Sequence, residues 1–268
     1  MSNEIYGLIY STLAGCAMIV GALFSLLFKD KLKSYTHLSL GFSAGIMIYA
    51  SLMEVLPHGI EHLSDSLGSS FGGVMAMFAL LCGVIIAHLL DRYLPHSHEH
   101  AHINSNNEND DNSHILRLGV ITAVTIAVHN LLEGSAVYLS FISEFDTGIA
   151  LMMSVAIHNF PVGIAIALPI YYASKKPLKA LGITTLSALA TGLGAVLTHV
   201  FLKPYLTDNI LGFIFALVSG MMIYIAFDEL LPTANKYGDR HKVVYGVIAG
   251  MIVMGLALVL FSHGVHNH

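Results

Sequence analysis

Tryptophan is absent from this 268-residue chain, cysteine occurs twice, and charged side chains make up only 11% of it. Each scarcity excludes something. A soluble domain carries about 25% charged residues, so this chain cannot cover a water-exposed globule in the usual way. Cys16 and Cys82 both fall inside apolar runs, which gives no disulfide framework and little information on redox compartment. Without tryptophan, an interfacial belt has to come from tyrosine and phenylalanine. The net charge of -5 is modest, and no basic patch points to nucleic acid.

What the chain has instead is apolar residues in blocks. They make up 55% of it, with a mean hydropathy of +0.72. Crossing a bilayer takes about 20 residues of helix. Eight blocks reach that length, at 5–28, 37–56, 72–90, 118–141, 148–173, 181–202, 210–231 and 243–262. The expectation is an all-α integral membrane protein of eight transmembrane helices, one domain over residues 1–268, with the lipid bilayer as its solvent. No basic n-region or clear cleavage site precedes the first block, which reads as a retained helix.

Basic residues set the expected orientation. Lys29, Lys31 and Lys33 follow span 1, and Arg92 and Arg117 flank the connection after span 3. Lys175, Lys176 and Lys179 follow span 5, and Lys236, Arg240 and Lys242 follow span 7. Lys203 alone lies on an even connection, while Glu61, Asp65, Glu144, Asp146 and Asp208 make the even connections acidic. The positive-inside rule places the odd connections in the cytoplasm and both termini outside. The longest connection, residues 93–116, is expected to be a His-rich cytoplasmic loop. His96, His98, His100 and His102 alternate there before an Asn/Asp-rich run, a composition suited to transient metal capture or to a solvated spacer. His263, His266 and His268 form a similar tail.

The chain also repeats itself. Residues 44–57 (AGIMIYASLMEVLP) and 219–232 (SGMMIYIAFDELLP) match at Gly45/Gly220, Met47/Met222, Ile48/Ile223, Tyr49/Tyr224, Glu54/Glu229, Leu56/Leu231 and Pro57/Pro232. Spans 2 and 7 are expected to run in opposite directions, which is the pattern of an inverted repeat. Spans 1–3 and 6–8 then flank a central pair, 4 and 5.

That central pair carries polar groups costly inside a membrane. His129-Asn130-Leu131-Leu132-Glu133-Gly134 on span 4 returns on span 5 as His158-Asn159-Phe160-Pro161-Val162-Gly163. His129 and Glu133, four residues apart, share a helical face. Asn130 projects about 100° away, at the edge of that face. An acidic residue at a helix centre costs about 2.5–3.5 kcal/mol on insertion scales, so Glu133 needs a polar cavity or a partner. Imidazole, carboxylate and amide together suit Zn2+, Fe2+, Mn2+, Co2+ or Ni2+ as a transported substrate. The alternative reading is hydrogen bonding between helices. Pro161 frees a carbonyl one turn back, either lining a site in a broken helix or making a simple kink. Glu54, Asp228 and Glu229, near the ends of spans 2 and 7, are candidate pathway or gate residues, with interfacial carboxylates as the alternative. His88 and His199 read as helix-packing residues. No hydrolase or metalloprotease motif is present, so the chain is not expected to be an enzyme or to hold an organic cofactor.

These residues resemble the ZIP (Zrt-, Irt-like) family of divalent metal transporters, in particular its ZupT-like branch. The resemblance rests on residues 41–57 (GFSAGIMIYASLMEVLP), 91–96 (DRYLPH), 168–173 (LPIYYA) and 228–232 (DELLP), on both His-Asn motifs and on the His-rich loop. It implies a homodimeric carrier in the plasma or bacterial inner membrane that moves metal into the cytoplasm by alternating access. It also implies metal ligands at His129, Asn130, Glu133, His158 and Asn159. The chain departs from the family pattern where Val162 and Thr191 stand in place of glutamates and Leu132 in place of a proline. Those losses point to a single metal site. They also motivate a competing reading, a membrane metal binder or sensor that does not transport.

Overall fold

A computed structural model describes residues 2–29, 35–93, 108–143, 145–205 and 207–265. Among these the chain forms eight long helical runs and no strand. They are α1 (Asn3–Leu27), α2 (Thr36–Leu67), α3 (Ser69–Tyr93), α4 (Glu108–Ser143), α5 (Phe145–Ser174), α6 (Pro177–Tyr205), α7 (Asp208–Lys236) and α8 (Arg240–Val265). By length and composition, seven of them can cross a membrane; α4, at 36 residues, is the eighth.

Several helices outrun the apolar blocks that announced them. α2 continues to Leu67, past Pro57, because a π-helical turn at Ser51–Val55 leaves that proline in the first turn of the next segment, where its missing N–H costs little. α7 repeats the arrangement with a π-turn at Ile225–Leu230 ahead of Pro232. α5 runs unbroken through Pro161, so that proline does not end the helix. α4 already begins at Glu108, so the last part of the expected 93–116 loop is helical. His96, His98, His100 and His102 lie outside the described residues. At its start α8 is capped by Asp239, whose carboxylate accepts the His241 N–H at 2.7 Å. That donor holds the Asp239 pKa below the usual aspartate value.

The helices sort into two bundles. α1, α4, α5 and α6 pack together, as do α2, α3, α7 and α8; α2 and α8 meet α5 across the seam, and α7 and α3 meet α4. Exchanging α1 with α6, α2 with α7, α3 with α8 and α4 with α5 leaves this packing pattern unchanged. The two π-turns fall at equivalent places in the repeated segments. The inverted repeat read from the 44–57 and 219–232 match is therefore a property of the fold.

Small residues bring the helices close. Lipid gives no hydrophobic drive to helix association, so backbones must approach near enough for dispersion contacts and polar bonds. A Cβ on Gly21 would strike the Phe160 carbonyl, and one on Gly163 the Met18 carbonyl, which makes α1 and α5 reciprocally tight. The repeat-related pair behaves alike, with Gly134 against Thr191 and Gly194 against Leu131 between α4 and α6. At the helix ends, Lys203 forms an ion pair with Glu4, giving the one basic residue on an even connection a local partner.

Candidate metal site

α4 and α5 cross within the first bundle so that the two His-Asn motifs face each other. His158 Nε2 lies 2.5 Å from Glu133 Oε1, and His129 Nε2 lies 3.6 Å from the same oxygen. Among the described residues, these three side chains form the one group of His, Cys, Asp or Glu whose ligand atoms all fall within 4.8 Å of one another. All three are almost fully buried, at 1–2% exposure.

The remaining polar atoms show how the site is held. Asn159 Nδ2 donates to the Ala14 carbonyl of α1 at 3.3 Å and to Glu133 Oε2 at 3.4 Å. Asn130 Nδ2 donates to the Ser187 carbonyl of α6 at 2.9 Å. Each asparagine thus ties its own helix to a repeat-related neighbour. Asn159 also reaches the Glu133 carboxylate, whereas Asn130 leaves only Oδ1 without a partner. Both ring nitrogens of His129 and Nδ1 of His158 are also buried without a hydrogen-bond partner. Orphaned imidazole nitrogens are expensive in a protein interior. Of these, His129 Nε2 faces the carboxylate that His158 Nε2 already meets, and two imidazoles on one carboxylate are a donor set for a borderline divalent cation.

The two departures noted in the sequence are buried and bring no charge. Val162 is 3% exposed and Thr191 fully buried. Thr191 lies between Gly15 of α1 and Gly134 of α4, with its Oγ1 unpartnered. Glu133 is the one carboxylate in the group.

The other sequence candidates lie apart from this group. Glu54 sits in the α2 π-turn. Asp228 accepts the Tyr224 hydroxyl at 3.1 Å, and both carboxylate oxygens of Glu229 are buried without a hydrogen-bond partner. His88 meets Tyr224 at 3.1 Å and His199 meets Tyr138 at 2.6 Å, the helix-packing role expected of both. Sequence reading missed Ser154, which lies against Glu54. It also missed Asp91, which accepts the Tyr224 hydroxyl at 3.4 Å beside Asp228. The only signal for Ser154 was its place four residues before His158.

Comparison with known proteins agrees with this architecture. The family described as ZIP Zinc transporter matches residues 4–258. The chain is 39% identical over 266 residues to the zinc transporter ZupT of Chlorobium luteolum, covering 98% of this chain and 100% of that protein. It is 35% identical over 263 residues to the zinc transporter ZupT of Streptococcus mutans, covering 97% and 100%. To the zinc transporter ZupT of Clostridium perfringens it is 33% identical over 278 residues, covering 97% and 98%.

Proposed function

This chain belongs to the ZIP zinc transporter family, whose members are transporters and not enzymes, and we propose from that premise that it moves a divalent transition metal, zinc first, into the cytoplasm through one metal site. The observation that carries the proposal is the convergence of His129, Glu133 and His158 in the buried centre of a multi-pass helical protein. Asn159 and the free Oδ1 of Asn130 complete the ligand set. With Glu133 as the one anion, a dication bound there keeps one net positive charge, and the neutral imidazoles release it more readily than a cage of carboxylates would.

The two-bundle architecture supports alternating access. The metal ligands all belong to the first bundle, so the cation travels with that bundle as it moves against α2, α3, α7 and α8. Glu54 stands on the path on one side, Asp228 and Glu229 on the other. The charge pattern of the sequence supports a cell-membrane protein with both termini extracytoplasmic. The His-rich run at residues 96–102 then receives metal in the cytoplasm. The assembly proposed is a homodimer.

The test is uptake into proteoliposomes holding the purified full chain, with Zn2+, Fe2+, Mn2+, Co2+ and Ni2+ supplied one at a time. Wild-type protein that keeps its fold but moves none of them above empty vesicles defeats the proposal. Val162 and Thr191 favour a second reading, a metal binder that does not transport. That reading requires saturable zinc binding in detergent with no uptake in vesicles.

A further inference from the structure

Outside the His129–Glu133–His158 group, two buried carboxylates stand at the same position of the repeat, Glu54 and Glu229. Each lies within a π-turn of the second bundle. Glu54 is 6% exposed, and its Oε2 has no hydrogen-bond partner. Across the seam between the bundles, the Ser154 side chain of α5 lies against this carboxylate. Ser154 Oγ is itself buried and has no hydrogen-bond partner. Two orphaned oxygens thus face each other from opposite bundles.

Their place relative to the metal group is set by helix geometry. Ser154 precedes His158 by four residues and so shares its face, about one 5.4 Å turn away. The π-turn widens α2 locally, and Ser219 of α7 fixes it by donating to the Ser51 carbonyl at 2.9 Å. Such turns re-aim side chains and recur at functional sites. A carboxylate oxygen buried without a donor is costly, and a passing cation would offset that cost.

We propose that Glu54 and Ser154 form an entry site for the divalent cation, which then moves one helical turn to His129, Glu133 and His158. The proposal rests on the transport reading above. A dication held by Glu133 alone keeps one net positive charge in a low-dielectric cavity; Glu54 brings the sum to zero at the moment of transfer. The charge missing at Val162 and Thr191 is thereby supplied from the facing bundle. A ligand on the facing bundle contributes only while the two bundles hold one relative position. Its help in loading therefore disappears once the first bundle moves, and the cation can leave from a weaker site.

The experiment is zinc uptake by reconstituted full-length wild type, Glu54→Gln, Glu54→Asp and Glu133→Ala, each checked for monodispersity and thermal unfolding. Glu54→Gln should raise the apparent KM by about tenfold or more. Zinc affinity in detergent, read by equilibrium dialysis, should stay within about twofold of wild type, because His129, Glu133 and His158 are untouched. Glu54→Asp should recover most of the KM. A Glu54→Gln protein with wild-type KM, in a preparation where Glu133→Ala is inactive, overturns the entry site and leaves the transport reading intact. If wild type carries no metal, the transport reading itself fails. Should Glu54→Gln not fold, Glu54→Ala and Ser154→Ala carry the test. Both are expected to raise KM, and wild-type KM in both overturns the proposal.

Discussion

Glu133 Oε1 is shared, at 2.5 Å from His158 Nε2 on α5 and 3.6 Å from His129 Nε2 on its own helix. One carboxylate oxygen therefore joins both halves of the central helix pair. Truncating one partner of a buried charged pair costs about 3–5 kcal/mol, a factor of a hundred or more. Glu133→Ala is expected to abolish zinc uptake in proteoliposomes and to lower zinc affinity in detergent by at least about a hundredfold. Unchanged flux would remove Glu133 from the pathway.

Val162→Glu tests the missing charge directly. Position 162 is 3% exposed, so a second carboxylate there would be buried close to the first. Without metal it should destabilise the fold, because a buried anion gains no cation. With metal it should tighten binding, and ligand linkage then raises stability by about 2.7 kcal/mol at a hundredfold excess over Kd. Thermal unfolding with and without zinc should show a lower starting point and a larger metal-induced rise than wild type. A five-metal uptake panel on the same variant reads whether position 162 sets selectivity. Identical unfolding and identical panels would mean that Val162 does not border the metal.

Much of this architecture was legible because a membrane turns composition into structure. Blocks of apolar residues gave the helices, lysine placement the expected orientation, and the Glu54/Glu229 repeat the symmetry. The helix ends were not legible, since Pro57 and Pro232 look like stops. A π-turn before each lets the helix continue, and nothing local announces one. The Glu133 group was legible because polar residues in an apolar helix need a reason. Ser154 was not, because a lone serine in a membrane helix usually bonds its own backbone, as Ser140 does to Ala136. Only packing of α5 against α2 shows that it meets Glu54. The asparagines were half legible: their burial was expected, but their use in tying α5 to α1 and α4 to α6 depends on neighbours that the motif does not specify.

The reciprocal glycines carry a stability prediction. Gly194 abuts the Leu131 carbonyl and Gly134 the Thr191 carbonyl, both in the α4–α6 interface beside Glu133. Gly194→Leu forces α4 and α6 apart, and overpacking of this kind costs about 1–3 kcal/mol. Thermal unfolding in detergent should fall, and zinc affinity should fall with it because Glu133 moves with α4. Gly182, with nothing within 4 Å of an added Cβ, is the control. Gly182→Leu is expected to leave both measurements near wild type. Equal effects at the two positions would mean that the close α4–α6 approach does not support the site.

Glu229 is the repeat partner of Glu54, yet its surroundings differ. Ser154 faces Glu54, whereas Asp91 and Asp228 lie near Glu229, with Tyr224 donating to both of those aspartates. A cluster of carboxylates attracts a cation more strongly than a single one, so the two ends of the path should differ in which kinetic step they govern. If metal enters past Glu54 and leaves past Glu229, Glu229→Gln should lower the maximal uptake rate several-fold with little change in KM, the reverse of the effect at Glu54. Initial-rate measurements over a range of zinc concentrations separate the two. A KM effect at Glu229 and a rate effect at Glu54 would mean that zinc travels the other way through this protein.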